Sequence, residues 1–301
     1  MKICELLKSG YSKISLVKDA AFLDVEVLLA HVLGVCKEYL LAHGEEEVSV
    51  EDEALFDSYT GRVVLGESVA YITCHKEFFG NDFFVDSRVL VPRPETEMIV
   101  GKVVEFVEWC VKKGSGLNNA VGSVKFKMVD VGTGSGNIAI SVAKHFREFL
   151  DDPLDEVFAV DVSEEALEVC RINVEQYGLE DKIQVLQSDL LEFLEDDEVC
   201  DIIVANLPYV GEVTNRFVEK NVEKFEPRVA LFGGNDGLEL YKKMFQQIKE
   251  KGVKFKFLVG EFGFTQGEAI GELLSKYFEQ DEWKIEKDLA GIERIFIVNK
   301  K

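Results

Sequence analysis

The chain has 301 residues, enough for two compact domains, and its 47% hydrophobic content is that of an ordinary globular protein. The formal net charge of −22 disfavours a nucleic acid as the primary substrate, because affinity for phosphate backbones rests on Lys and Arg. That charge fits a solvated surface, and it also fits a field that attracts a basic partner.

The sequence carries no sign of export or membrane insertion. No apolar run approaches the ~20 residues needed to span a bilayer, and the N-terminus lacks a basic region followed by an apolar stretch. The six cysteines are scattered, without the close pairs of a zinc knuckle or redox motif, which fits a reducing compartment. We therefore expect a cytoplasmic protein with no membrane association. We also expect no metal site, since the histidines have no ligand-like spacing (His31, His43, His75 and His145).

The chain from Met1 to about Tyr71 shows helical periodicity and no convincing strand pattern. Asp24 is the predicted N-cap of a helix that ends near Gly34. Two aromatic-rich runs then flank Gly80-Asn81-Asp82, which predicts a hairpin. These features divide the chain into a helical N-terminal domain (1–75), a hairpin and linker (76–93) and a C-terminal domain (94–301).

Within the C-terminal domain, apolar runs alternate with helical patterns. This alternation is typical of parallel strands joined by crossover helices, so we predict a doubly wound α/β sheet. The run Glu293–Val298 follows Trp283–Glu286 after a short turn, which fits an antiparallel strand. The predicted strands before it are Phe126–Val129, Val157–Val160, Ile183–Leu186, Ile202–Val204 and Phe255–Val259, and the predicted helices are Ile138–Phe146, Glu164–Tyr177, Leu238–Lys249 and Gln266–Tyr277.

A glycine-rich loop, residues 130–136 (DVGTGSG), directly follows the first of these strands and opens a helix. Glycines are needed where the chain turns sharply and a ligand lies against the backbone. Asn137 stands where the dinucleotide fingerprint G-x-G-x-x-G has its last glycine. The loop alone therefore fits either a ligand site or a tight turn that binds nothing.

Two acidic residues favour the ligand site. Asp161 ends the second predicted strand, where a carboxylate can accept both hydroxyls of a ribose. Asp189 ends the third, where it could accept from an adenine amino group. Each alone could cap the following helix, but together they outline an adenosine site at the edge where α/β proteins bind ligands. NAD and S-adenosylmethionine both contain adenosine, so these residues do not separate the two.

The fourth predicted strand runs directly into Asn206-Leu207-Pro208-Tyr209. A proline turn would explain this segment without a function. Its residue types also fit the methylation of an amide or exocyclic amine, a poor nucleophile that must be held with its N–H bonds pointing away from the methyl donor. The Asn206 side-chain oxygen and the Leu207 carbonyl can accept those two N–H bonds, and an aromatic residue can lie against the planar group.

The glycine loop, Asp161 and the Asn206–Tyr209 segment resemble the class I S-adenosylmethionine-dependent methyltransferases with an (Asn/Asp)-Pro-Pro-Tyr motif. Within this class the chain resembles the HemK/PrmC family, the glutamine methyltransferases of peptide chain release factors. The resemblance covers almost the whole chain, and Leu207 departs from it where the family usually has a proline. The departure bears on rate and substrate preference, since Leu supplies the same carbonyl. The resemblance includes the segments Val91–Glu97, Phe225–Gly234 and Lys287–Gly291, and the motifs in the first two are far more specific than the glycine loop.

The resemblance implies a mostly parallel, seven-stranded Rossmann-like sheet and a small all-helical N-terminal domain that recognises the substrate. It implies S-adenosyl-L-methionine as cofactor and S-adenosyl-L-homocysteine as product. For Arg93 and Glu95 we expect an ion pair that braces the loop leading into the catalytic domain. The implied catalytic and substrate-binding residues are Asn206, Leu207, Pro208 and Tyr209. The implied cofactor-binding residues are Gly132, Thr133, Gly134, Ser135, Gly136, Asp161, Asp189, Leu190 and Asn206.

Four functions are compatible with these motifs to different degrees. The first is methylation of the glutamine in the Gly-Gly-Gln loop of a release factor by a monomeric enzyme that makes no direct contact with nucleic acid. The second is glutamine methylation of a ribosomal protein, for which the catalytic motif is nearly the same. The third is adenine-N6 methylation, which the negative charge disfavours. The fourth is a binding module without catalysis, which the intact glycines, both acids and Asn206 disfavour.

Overall fold

The computed structural model describes residues 1–19, 21–113, 125–147, 152–212 and 220–300. The chain divides into two compact units, Met1–His75 with Lys220–Phe225, and Lys76–Glu219 with Glu226–Lys301. Among the helices of these described residues, none has both the length and the apolar character that crossing a bilayer requires. The division into a helical N-terminal domain (1–75), a hairpin and linker (76–93) and a catalytic domain (94–301) stays a prediction. The compact units show how the chain packs and do not show what each segment does.

The N-terminal unit is a cluster of helices that pack around fully buried apolar side chains such as Leu6, Leu28 and Phe56. Ser49 and Ser68 cap two of these helices by accepting backbone N–H groups, as serine does at N-cap positions. The helices are α1 (Ile3–Ile14), α2 (Ala21–Leu33), α3 (Lys37–Ala42), α4 (Val50–Val64) and α5 (Val69–Thr73).

The prediction that Asp24 is an N-cap was wrong. Helix α2 begins at Ala21, so Asp24 lies within its first turn. Ala21 is fully buried, and this packing extends the helix beyond the point at which its polar pattern suggests a start. Asp24 instead pairs with Lys18 over 2.6 Å. Its carboxylate still lies near the helix N-terminus, where a negative charge is favourable.

The predicted hairpin is confirmed, with strands β1 (His75–Phe78) and β2 (Asn81–Phe84). Its turn residues Phe79 and Gly80 have φ values of 50° and 68°, the left-handed conformation of a two-residue hairpin turn. Asn173, which is fully buried, accepts the Phe84 N–H over 2.8 Å and donates to the Phe84 carbonyl over 3.0 Å. The hairpin backbone is therefore fixed to the rest of the C-terminal unit by the Asn173 side chain.

The C-terminal unit is built on one seven-stranded sheet. Its strands are β3 (Phe126–Val131), β4 (Leu154–Asp161), β5 (Ile183–Gln187), β6 (Ile202–Ala205), β7 (Phe257–Glu261), β8 (Trp283–Lys287) and β9 (Glu293–Asn299). Their order is β5-β4-β3-β6-β7-β9-β8, and only β9 pairs antiparallel with its neighbours. This confirms the predicted doubly wound fold and its antiparallel last strand.

Helices flank this sheet, so its central strands are buried along their length, as expected for parallel strands covered on both faces. The chain order reverses at β3, which lies between β4 and β6, and this is where doubly wound sheets bind ligands. The helices of the C-terminal unit are α6 (Glu97–Lys113), α7 (Asn137–Arg147), α8 (Glu164–Gln176), α10 (Arg228–Leu231), α11 (Glu239–Glu250) and α12 (Gly267–Tyr277), whereas α9 (Lys220–Phe225) belongs to the N-terminal unit.

Candidate active site

A cavity of about 310 Å³ lies at the carboxyl ends of β3, β4 and β6, within the range of small-molecule sites. Val131 pairs with Ala205 across β3 and β6, so Gly132 and Asn206 leave the sheet side by side. Two of the predicted site residues, Gly136 and Tyr209, are not part of the lining. The predicted residues that line it are Gly132, Thr133, Gly134, Ser135, Asp161, Asp189, Leu190, Asn206, Leu207 and Pro208.

The glycine loop turns tightly because its first residues bond back to β4. The N–H groups of Gly132 and Thr133 donate to the Val160 carbonyl over 2.8 and 2.9 Å. Gly134 has φ +54°, and a Cβ atom there would meet nothing within 4 Å, so its backbone is open to the cavity. Gly136 serves packing, because a Cβ there would lie 2.8 Å from the Cys170 Sγ on α8.

Asp130 supports this loop from within the core. It is fully buried, and its Oδ2 accepts the Thr133 hydroxyl over 2.7 Å and the Ala139 N–H over 3.1 Å. Its other oxygen has no hydrogen-bond partner among the described residues. Burial raises the pKa of Asp130 to about 7, and the two hydrogen bonds offset only part of this effect. Asp130 therefore holds the glycine loop from its core side and does not line the cavity.

Asp161 presents its carboxylate at the end of β4. Its Oδ2 accepts the Gly134 N–H over 3.0 Å, and its Oδ1 accepts the Ser163 N–H over 2.9 Å. Burial raises the pKa of Asp161, while these backbone donors favour the ionised form. Each carboxylate oxygen has two lone pairs, so both retain capacity for a ligand hydroxyl.

Asp189 and Leu190 form the neighbouring wall. Leu190 has a left-handed φ of 57° and is largely buried. The Asp189 carboxylate forms an ion pair with Lys243 of α11, and its carbonyl accepts the Gln247 Nε2 over 3.2 Å. Lys243 was not predicted, because it lies 54 residues away along the chain. An adenine amino group at this wall would share the carboxylate with Lys243.

Asn206 takes part in a buried chain of side-chain hydrogen bonds. Its Nδ2 donates to the Thr96 hydroxyl over 3.0 Å, and that hydroxyl donates to the Glu261 Oε2 over 2.7 Å. The Tyr209 hydroxyl donates to the other Glu261 oxygen over 3.3 Å. Thr96 and Glu261 were not among the predicted site residues. Thr96 lies in the Val91–Glu97 segment, whereas no sequence signal marked Glu261.

Leu207 directs its side chain into the core, where it is 2% exposed. Its Cδ2 packs so closely on Gly132 that a Cβ there would lie 3.1 Å from it. This contact links the glycine loop to the loop of residues 206–210, called the Asn206 loop below. Since the side chain is buried, Leu207 has only its backbone available to a ligand in the cavity.

The backbone of the Asn206 loop is held by two later segments of the chain. Val210 donates to the Leu231 carbonyl over 2.9 Å, and Gly233 donates to the Val210 carbonyl over 3.0 Å. Gly233 lies so close to the Pro208 carbonyl that a Cβ there would clash with it. The Gln266 Nε2 donates to the Tyr209 carbonyl over 2.9 Å.

Arg93 forms an ion pair with Glu226 over 2.5 Å and not with Glu95, which is exposed. The predicted ion pair was therefore assigned to the wrong acid. Glu226 lies 133 residues away and is buried, so the pair joins the segment before α6 to the segment before α10. Arg93 also lines the cavity.

Two family models match the chain, the PrmC N-terminal domain over residues 5–73 and a methyltransferase domain over residues 123–263. The release factor glutamine methyltransferase of Koribacter versatilis (strain Ellin345) is 35% identical over 278 residues, covering 92% of this chain and 91% of the relative. The protein of the same name from Bacillus subtilis (strain 168) is 35% identical over 270 residues, covering 89% and 88%. The chain belongs to the release factor glutamine methyltransferase family.

Membership in the release factor glutamine methyltransferase family confirms the resemblance drawn from the motifs. Among solved structures, the hMettl16 catalytic domain in complex with MAT2A 3'UTR hairpin 6 has a TM-score of 0.54 at 14% identity. The match covers 77% of this chain and 80% of that one. At this identity the likeness supports the fold alone, which is the class I methyltransferase sheet.

Proposed function

We propose that this protein transfers the methyl group of S-adenosylmethionine to the side-chain amide nitrogen of the glutamine in the Gly-Gly-Gln motif of a bacterial release factor. The observation that carries the proposal is the Asn206 loop at the cavity, in a chain that belongs to this family. Because the Asn206 Nδ2 is bonded to Thr96, its Oδ1 is the atom left to accept from a substrate amide.

The cavity residues fit S-adenosylmethionine. Gly134 leaves room for a ligand against the backbone, and the Asp161 carboxylate has capacity for two ribose hydroxyls. Leu190 and Val162 supply apolar wall for a base. When bound, this cofactor supplies a methyl group on a positively charged sulfur, an electrophile that needs no metal or base for activation.

The chain's own residues contribute orientation. The Asn206 Oδ1 and the Leu207 carbonyl would accept the two N–H groups of the substrate amide, which turns its nitrogen toward the methyl group. Pro208 fixes the backbone at this point, and Tyr209 is held by Glu261 and Gln266. While the Asn206 Oδ1 and the Leu207 carbonyl hold this orientation, the nitrogen would gain the methyl group that the cofactor supplies and would release a proton to water.

The proposed partner is a release factor, with the helical N-terminal unit as the part that recognises it. A Gly-Gly-Gln loop is too small to provide specificity alone, so contacts outside the cavity have to discriminate between substrates. The net charge of −22 fits a protein partner better than a nucleic acid. We also propose that the enzyme is a cytoplasmic monomer.

Mass spectrometry of a bacterial release factor incubated with this protein and S-adenosylmethionine tests the proposal. We expect one added methyl group, located on the glutamine of the Gly-Gly-Gln motif. A release factor with alanine at that glutamine is the matched control and should stay unmodified. An unmodified wild-type release factor, together with cofactor binding by calorimetry, would contradict the proposal and favour a ribosomal-protein glutamine.

A further inference from the structure

The buried carboxylate of Glu261 is joined to the cavity through a single hydroxyl. Glu261 and Thr96 are each 1% exposed, and they come from β7 and from the 3₁₀ turn before α6, 165 residues apart. The Thr96 hydroxyl lies between the Glu261 Oε2 and the Asn206 Nδ2. We propose that Glu261, acting through Thr96, sets which atom of the Asn206 carboxamide faces the cavity, and so permits or prevents methyl transfer.

The direction of this hydrogen-bond chain follows from counting protons. An ionised carboxylate only accepts, and a hydroxyl has one proton to donate. With Glu261 ionised, the Thr96 proton is directed to Glu261, so the Thr96 oxygen can only accept from Asn206. The amide group of Asn206 must then face Thr96, which leaves its carbonyl oxygen for the substrate. The reverse orientation would place two oxygens together without a proton between them, which is unfavourable because neither acceptor would be satisfied.

A proton on Glu261 would reverse this order. Neutral Glu261 can donate to the Thr96 oxygen, which frees the Thr96 proton for the Asn206 Oδ1. The carboxamide can then rotate so that its NH₂ group faces the cavity. A donor would now face the N–H groups of the substrate amide, and the site would lose the side-chain acceptor that orients this amide. Thr96 and Glu261 are thus positioning residues, while Asn206 is the residue that contacts substrate in the proposed function on which this inference rests.

The groups around Glu261 allow this proton to exchange near neutral pH. Burial raises the pKa of Glu261 to about 7, against the opposing effects of the Thr96 hydrogen bond, the Arg294 charge on β9 and the Tyr209 hydroxyl. The Glu95 charge adds to the increase. The Tyr241 hydroxyl of α11 donates to the backbone carbonyl of Glu261 over 2.5 Å and not to its carboxylate. Activity should therefore be full well above pH 7, decline as the pH falls through this range, and approach a tenfold loss per pH unit well below it.

The test compares kcat and its pH profile for Thr96→Val and Thr96→Ser, with a release factor as substrate. Valine has the shape of threonine but no hydroxyl, so we expect kcat to fall about 10- to 100-fold. We also expect the acid limb of the profile to disappear, while calorimetry shows unchanged cofactor affinity. Thr96→Ser should restore both the rate and the limb. A purely structural role for Thr96 would not alter the pH dependence.

Glu261→Gln is the second variant, and it should also remove the acid limb. Asp201→Asn is its matched control, since Asp201 is another buried acid but precedes β6 at the opposite end from Asn206. That control should keep the wild-type profile. Wild-type kcat and an unchanged acid limb in Thr96→Val would overturn the inference and leave the proposed function intact.

A readout without substrate separates the two proposals. In ¹⁵N-labelled protein, the Asn206 side-chain NH₂ resonances should shift across the pH range in which Glu261 titrates, and this shift should be absent in Glu261→Gln. Resonances that do not respond to this titration would overturn the inference. A wild-type enzyme that fails to methylate a release factor, but shows the shift, would contradict only the proposed function.

Discussion

The glycine loop and the Asn206 loop lie side by side at the ends of β3 and β6, yet different parts of the chain hold them in place. The glycine loop bonds to Asp130, Val160 and Asp161, all within about 30 residues. The Asn206 loop bonds to Thr96 and Gln266, which lie 110 residues before Asn206 and 57 residues after Tyr209. At Val210 the Asn206 loop also bonds to Leu231 and Gly233, which are about as near in sequence. The Asn206 loop therefore differs in its additional bonds to distant segments of the chain.

The largest effect should come from Asn206→Ala, which removes from the Asn206 loop the acceptor that orients the substrate amide. We expect kcat to fall at least about 10³-fold, because the substrate amide would lose the contact that directs its lone pair. Cofactor affinity should remain measurable by calorimetry. Asn206→Asp keeps an acceptor at this position and should retain more activity than alanine. Full activity in the alanine variant would show that Asn206 is not the acceptor that orients the substrate amide.

Gly233→Ala tests whether the position of the Asn206 loop matters, because it displaces this loop without changing a residue that lines the cavity. An added Cβ would clash with the Pro208 carbonyl, so the loop has to shift. We expect kcat to fall about 10²-fold, the cost of a misplacement near 1 Å. Gly101→Ala in α6 is the matched control, since a Cβ there meets nothing within 4 Å, and it should keep activity. Equal activity in both variants would mean that Gly233 does not fix the loop.

Asp161→Ala tests the cofactor-binding role of the carboxylate beside the glycine loop. Removing a carboxylate that accepts ligand hydroxyls should weaken S-adenosylmethionine binding by about 1.5–3 kcal/mol, the size of a hydrogen bond to a charged group. Titration calorimetry measures this change. Asp155→Ala, an exposed residue near the start of the same strand, is the control and should bind normally. Unchanged affinity in Asp161→Ala would count against the ribose role.

The same contrast explains how much could be predicted from the sequence. The position of Asp161 at the cavity is predictable because an acid at the end of a strand is a local sequence pattern. In the structure, β4 ends at this residue. Glu261 also ends a strand, but nothing near it in sequence shows that its carboxylate reaches Thr96 and Tyr209. The pairing of Arg93 with Glu226 was missed for the same reason, because a nearby acid is the obvious partner until the chain is folded.

Leu207→Pro should have the smallest effect on catalysis, because it alters the contact between the two loops and keeps the carbonyl proposed to bind substrate. We expect kcat to change less than about tenfold. The free energy of unfolding should fall by about 1–2 kcal/mol, since proline fills less of the space over Gly132 and lacks the N–H that lies against the buried Tyr241 hydroxyl.

Steady-state kinetics and urea unfolding measure these two quantities separately. Leu207→Met is the matched variant, because it keeps both the N–H and most of the buried volume, and it should resemble the wild type in both. A change in kcat above about 100-fold in Leu207→Pro, with normal behaviour in Leu207→Met, would mean that the backbone at this position does more than present a carbonyl. The Leu207 N–H, which lies against the Tyr241 hydroxyl, would then help to position the Asn206 loop.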